Sequence, residues 1–384
     1  MMVQVNRGVA GGSALSANSS KINVRWRGDF LSKERRSPRL RCSVPALRLA
    51  ARAPQPKIAT MPDPRSTERP YHHLSGGGFR NPPGSPQNRA GVRDFLKFLL
   101  WDMRRAKLPP VPAGLVAAAP PDLAALAENE LAWLGHACFA MQLGGKLVLT
   151  DPYLETVAGP FGLGPRRFLP AAVKAQDLPR LDLIVISHNH YDHIDTAALK
   201  AYRWRRETQV ICPLGVGTLL RRVGFAEVHE LDWWQSRVLG DLTITALPAV
   251  HFSGRGPFDR NRTLWASMAL ASPTRKVWFG GDSGYGACFR EIGERAGPFD
   301  LALVGIGAYE PRVIMEPSHA TPEEAVAIAR DIGASAAVGM HWGSIMLTPE
   351  NPFEAPERFR TAARDQQYGE ANALIMQIGE VRSI

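Results

Sequence analysis

From residue 130 onward, short apolar runs alternate with amphipathic stretches, the pattern of strands interleaved with helices. ELAWLG (130–135), ACFAMQL (137–143) and KLVLTD (146–151) read as consecutive antiparallel strands, with Gly144 and Gly145 making the hairpin turn. LDLIVIS, QVICPL, LTITALPAV, LWASMALAS, KVWFGGD, LALVGIG and SAAVGMH continue the β inventory, and helices are expected over 196–206, 215–223, 286–296 and 322–332. Such mixing predicts an α/β (α+β) fold, an αβ/βα sandwich of two mixed sheets with helices outside. Upstream, 92–106 reads as a helix with Val92, Phe95, Leu96, Leu99 and Met103 on one face, widened by Phe98, Leu100 and Trp101. Arg93, Lys97, Arg104 and Arg105 flank that stripe, which reads as packed on the domain; a helix lying in a lipid interface is the alternative. The Gly/Pro-rich stretch 71–90 is too full of breakers for a helix, and its His72 and His73 read as exposed loop residues.

Chemistry concentrates at SHNHYDHID (187–195), just past the run Leu181 to Ile186. His188 and His190 project to one side of an extended chain, whereas Asp192 and His193 follow where the chain turns and can face a second point. Capping the next helix needs one Asp or Ser and never three imidazoles. Three later apolar runs also end in a metal-capable residue: 242–250 in His251, 276–281 in Asp282 and 334–340 in His341. Ligand sites of α/β folds lie at such C-terminal strand ends. Imidazole and carboxylate without thiolate suit zinc first, then iron or manganese. Two zinc ions about 3.5–4 Å apart can bring a bridging water's pKa to about 7, place hydroxide for in-line attack and stabilise phosphoryl charge. Asp195 is either a partner orienting an imidazole or a helix cap. Tyr191 reads as packing, and Trp233 and Trp234 as core.

These residues sit in longer blocks. ISHNHYDHID, ELDWWQ, GDSGY, GPFDLALVGIGAYEPR, PEEAV and MHWG, with the shorter FRNP, WLGHA, LTDPY and GPRRF, resemble the metallo-β-lactamase superfamily. Within it the match is to the N-acylphosphatidylethanolamine-hydrolysing phospholipase D family, over about residues 79 to 360. The resemblance implies that His188, His190 and His251 hold one Zn2+ and that Asp192, His193 and His341 hold a second, with Asp282 bridging. His319, in EPSHATPEE, matches a non-ligand histidine beside the metals that could orient water, bind a phosphate oxygen or protonate the leaving alkoxide. It also implies hydrolysis of N-acylphosphatidylethanolamine-like phospholipids to N-acylethanolamine and phosphatidic acid, with His319, Asp192 and Asp282 catalytic. A carbonyl hydrolase similar to the ascorbate-phosphate lactonases is the alternative. The chain departs from the phospholipase pattern at HFSGRGPFDRNR (251–262) and MEPSH (315–319).

Charge bears on partners. The 384 residues carry a net charge of +10, but residues 1–60 hold 12 Lys or Arg against Asp29 and Glu34. The remainder is balanced, 34 against 34, so a nucleic-acid backbone is not the expected partner. Residues 1–70 read as a basic, disordered extension, either a targeting segment or a product of a wrong start with Met61 as the true one; 71–384 read as the hydrolase domain. No run approaches the roughly 18 apolar residues of a membrane span. Cysteines 42, 138, 212 and 288 lack a CxxC pair and read as reduced thiols of a cytoplasmic protein. Expected partners are a phospholipid or small phosphodiester, the inner membrane face through peripheral contact, and a second copy in a homodimer.

Overall fold

The computed structural model describes residues 69–384; the basic extension, Met61 and Cys42 lie outside the described residues. Two seven-stranded sheets form the scaffold. The first contains β1 (Glu130–Gly135), β2 (Cys138–Leu143), β3 (Lys146–Thr150), β4 (Leu183–Val185), β5 (Gln209–Pro213), β6 (Glu227–Leu231) and β14 (Val381–Ser383), in the order β14-β1-β2-β3-β4-β5-β6. The second contains β7 (Ser236–Leu239), β8 (Leu242–Leu247), β9 (Ser267–Ala271), β10 (Lys276–Phe279), β11 (Phe299–Gly305), β12 (Ala334–Met340) and β13 (Ala373–Leu374), in the order β13-β12-β11-β10-β9-β8-β7. Each sheet is antiparallel in one half and parallel in the other. This is the sandwich of two mixed sheets that the strand and helix pattern predicts.

Period-two alternation sorts the side chains. Phe139, Met141 and Leu143 of β2 and Leu183 and Val185 of β4 join a core shared with Leu242, Ile244, Met268, Leu270, Val277 and Phe279 of the second sheet. Cys138, Ala140, Ile184 and Ile186 face the other way and pack with Ala198 and Leu199 of the helix Thr196–Ala201 and Leu220 of Gly217–Val223. Each large apolar side chain fully buried here contributes roughly 1.5–3 kcal/mol. The helix Pro322–Asp331 starts on clear signals, with Pro at its first turn and a capping box between Thr321 and Glu324. Cys138, Cys212 and Cys288 are buried free thiols.

Two expectations need correction. His72 is not an exposed loop residue: it is 4% exposed, stacks on Trp233, and its Nε2 lies 2.6 Å from Asp232 Oδ1. His73 Nε2 takes the other oxygen at 2.7 Å, so the breaker-rich segment is pinned to the turn after β6. The helical stretch from Val92 to Arg105 forms, with a π turn at Phe98–Asp102, but its apolar face is not packed on the domain. Only Phe98 is buried, while Val92, Phe95, Leu96, Leu99, Leu100 and Trp101 are exposed. Trp233 is core, and Trp234 packs against it half-buried.

The strands that end at candidate site residues run the same way within their sheet: β1, β3 and β4 in the first, β8, β10 and β12 in the second. Their C-terminal ends meet at one edge of the sandwich. Gly281, just past β10, is needed for that meeting: it has φ +55°, and a Cβ there would fall 2.4 Å from the Ser187 Cβ. Gly281→Ala should therefore lower stability by about 1–3 kcal/mol, the cost of overpacking. Denaturant melting of the variant checks this; an unchanged midpoint would show that the edge has slack.

Candidate metal centre

The strand ends bring two groups of donors together. After β4, His188 Nε2 lies 2.9 Å from His190 Nδ1, and His251, beyond β8, places its Nε2 3.2 Å from the same His190 atom. The second group is centred on Asp192 Oδ2, which lies 3.5 Å from His341 Nε2 and 3.7 Å from His193 Nε2. Asp282 stands between them: its Oδ2 is 3.0 Å from His193 Nε2 and 3.2 Å from His341 Nε2, but 3.9 Å from both His188 Nε2 and His251 Nε2. All seven residues assigned to metal from the sequence thus lie together, His188, His190 and His251 on one side, Asp192, His193 and His341 on the other, with Asp282 between. His319 is beside them, its ring 5.2 Å from that of His251 and 5.3 Å from that of His341.

A second layer fixes the imidazoles. His193 Nδ1 donates to Asp151 Oδ2 at 2.6 Å, leaving Nε2 to face the centre. Asp151 also accepts from the Ser187 backbone amide at 2.7 Å and from the Ser187 hydroxyl, whose oxygen lies 2.9 Å from His188 Nδ1. His251 Nδ1 donates to the Ser318 carbonyl at 2.9 Å. Asp195 is the cap rather than an imidazole partner, accepting from the amides of Ala197 and Ala198 at 3.0 and 3.1 Å. Tyr191 packs, under the Arg255 guanidinium and donating to the Arg255 carbonyl.

Two site residues escaped the sequence reading. Asp151 is one; His136, with Nε2 3.1 Å from Asp192 Oδ2, is the other. Both follow apolar strands, β3 and β1, so the strand-end rule that picks out His251, Asp282 and His341 reaches them once extended to those two strands. Both, like His341, have positive φ, at 59° for His136, 27° for Asp151 and 62° for His341. Backbone held in that region marks sites over-determined by their surroundings.

The donor set fits a cation. His193 Nε2, His341 Nε2 and Asp282 Oδ1 are buried with no hydrogen-bond partner, a cost of about 1–3 kcal/mol each unless something engages them. The charge pattern agrees. Burial, reinforced by neighbouring imidazoles, holds His188 well below the usual histidine range and His190 at about 4, so both offer lone pairs. Burial would also lower His193 and His341, but Asp282 and Asp192 outweigh it, lifting His193 well above its usual value and His341 to about 9. Burial would raise Asp282, yet His193, His341 and His319 keep it ionised. Protons on His193 and His341 thus stand where positive charge is required.

The profile of the beta-lactamase superfamily domain matches residues 146–342. An N-acyl-phosphatidylethanolamine-hydrolyzing phospholipase D of Caenorhabditis elegans is 37% identical over 243 residues, 59% of this chain and 68% of that protein. The chain belongs to the metallo-β-lactamase superfamily, in the family similar to N-acylphosphatidylethanolamine-hydrolysing phospholipase D. An uncharacterised Mycobacterium tuberculosis protein is 38% identical over 282 residues, covering 71% of this chain and 75% of its own length. The solved structure of CmlA, a diiron β-hydroxylase from Streptomyces venezuelae, has a TM-score of 0.50 at 22% identity, over 67% of this chain and 54% of that one. The fold and the donors together make this a metallo-hydrolase with a divalent-metal centre.

Because a cation must displace protons held on His193 and His341, metal binding at pH 7 should release protons, and affinity should strengthen as pH rises toward about 9. Calorimetry in buffers of different ionisation heat measures the release. Proton-neutral binding at pH 7 would contradict this charge balance.

Proposed function

We propose that the protein is a binuclear zinc phosphodiesterase of phospholipase D type acting on N-acylated ethanolamine phospholipids or related diesters. The observation that carries this reading is the position of Asp282 Oδ2 between two separate donor groups. His188, His190 and His251 would hold one ion and Asp192, His193 and His341 the other. Two such ions supply a water deprotonated near neutral pH and positive charge beside the phosphoryl oxygens. Water adds to phosphorus, the bond from phosphorus to the ethanolamine oxygen breaks, and the alkoxide leaves protonated as N-acylethanolamine, with phosphatidic acid as the other product.

His319 has a narrower role than its position alone allows. Burial lowers its pKa to about 4, so at neutral pH it is an uncharged imidazole at the rim of the centre. A neutral ring can orient water or donate its N–H to a phosphoryl oxygen, but it does not bring a spare proton to the leaving group. His319→Ala should cut kcat on the order of 10²-fold with metal content intact. Loss of an ion in that variant would make His319 a ligand instead.

A lipid-type substrate is supported by apolar residues standing in solvent near the ligand loop. Phe161, 99% exposed, borders a cleft it shares with Tyr191, Ile194 and Arg255, and Phe258, 92% exposed, lies three residues beyond Arg255. The Val92–Arg105 stretch adds an uncovered apolar face edged by Arg93, Arg104 and Arg105, suited to an anionic bilayer surface. No helix among the described residues is long and apolar enough to cross a membrane, so this contact would be peripheral.

The decisive experiment is metal analysis with a substrate panel. We expect two zinc ions per chain, turnover of a diester but no lactone, and loss of at least 10²-fold activity in Asp282→Asn. Lactone turnover alone would leave the fold and overturn the phospholipase reading; iron in place of zinc would overturn the metal. Leu100→Glu with Trp101→Glu should reduce activity on anionic vesicles and spare a soluble diester. Equal activity on vesicles, or conversion of a dimer to a monomer, would assign the face to another partner.

A further inference from the structure

The segment 251–262, where the chain departs from the phospholipase pattern, carries two arginines with opposite fates. Arg255 is spent on the protein: its guanidinium donates to the carbonyls of Asn189, His190 and Ile194 at 2.9–3.2 Å and lies over the Tyr191 ring. Arg260 is not. Among the described residues no carboxylate or carbonyl receives its guanidinium, and the adjacent Asp259 is occupied by the backbone amides of Arg255 and Gly256. What holds Arg260 is a ring: its Cζ sits 4.2 Å from the Phe252 centroid. Phe252 in turn packs edge-on against His190 at 4.5 Å and leans on His251 at 4.9 Å. The exposed cation is therefore two ring contacts from the metal centre, through Phe252 to half-buried His190.

We propose that Arg260 forms an anion subsite beside the metal centre, selecting among the related diesters those that carry a second negative group, phosphate or carboxylate, beyond the scissile diester. The inference rests on the phosphodiesterase reading. An arginine offers five donors in a fixed plane, and stacking on Phe252 orients that plane before the ligand arrives, which lowers the ordering cost of binding. Because the partner is an anion at the mouth of the site, the effect falls on KM rather than kcat.

The test uses two p-nitrophenyl alkyl phosphodiesters that differ only in an alkyl tail ending in carboxylate or in its methyl ester, together with their non-hydrolysable phosphonate analogues. For the wild-type protein we expect KM for the carboxylate to be lower than for the ester on the order of tenfold, the scale of a charged hydrogen bond. That ratio should fall to about one in Arg260→Gln, invert in Arg260→Asp and be partly kept in Arg260→Lys. Calorimetry with the phosphonates should give the same ordering. No preference in the wild type, a ratio unchanged in Arg260→Gln, or no binding of either phosphonate would overturn the subsite. Preferential phosphonate binding without turnover of either diester would instead overturn the phosphodiesterase reading and leave the subsite standing.

Discussion

Asp282 is a buried carboxylate, 4% exposed, with four imidazoles within 3.9 Å of one oxygen. Charges 4 Å apart in a protein interior interact by about 4 kcal/mol at an effective dielectric of 20, so this cluster cannot be indifferent to its protonation. Its negative charge, with that of Asp192, must be answered locally, either by protons on His193 and His341 or by cations. The donors come from both sheets, so the answer also holds the sheets together at that edge. The shared strand direction, the close approach of Gly281 to Ser187 and the positive φ of His136, Asp151 and His341 all serve that convergence.

The segment preceding the first sheet belongs to the same construction. His72 and His73 clasp both oxygens of Asp232, and Phe79 enters the core. Asn81 follows, its Oδ1 accepting from the His251 backbone amide at 2.9 Å and from Trp265 Nε1 at 3.0 Å. A stretch with almost no regular structure thereby positions the backbone of a site residue that comes 170 residues later. Its Gly and Pro content, which excludes a helix, lets it follow the surface of the second sheet.

Much of this was legible in the sequence because the burial pattern and the chemistry coincide in it. Apolar runs that end in His or Asp gave both the strands and the residues that meet at their ends. The same logic fails where burial is shallow. β7 is largely exposed, and β13 and β14 have two and three residues, too few for periodicity to register. The burial of His72 is not legible locally, because its partner, Asp232, lies 160 positions away and no local pattern announces the pairing. The apolar stripe that begins at Val92 misleads for the opposite reason: amphipathic spacing reports that a face is apolar and not what covers it.

The loop 251–263 combines a braced frame with two side chains that the frame does not use. Its frame is braced at several points: Gly254 donates its amide to the Asn189 side chain, the Ser253 hydroxyl donates to the Thr263 carbonyl, and Arg255 binds the ligand loop. Asp259 caps the turn between them. These bonds brace the loop beside the candidate metal centre, and Arg255 ties it directly to the His190 carbonyl. Phe258 and Arg260 are the exceptions, one in solvent and one held only by a ring. Substitutions at those two positions break none of the hydrogen bonds that brace the loop. The geometry thus separates, within a dozen residues, the frame that holds the loop against the candidate ligands from two side chains that the frame leaves unbraced.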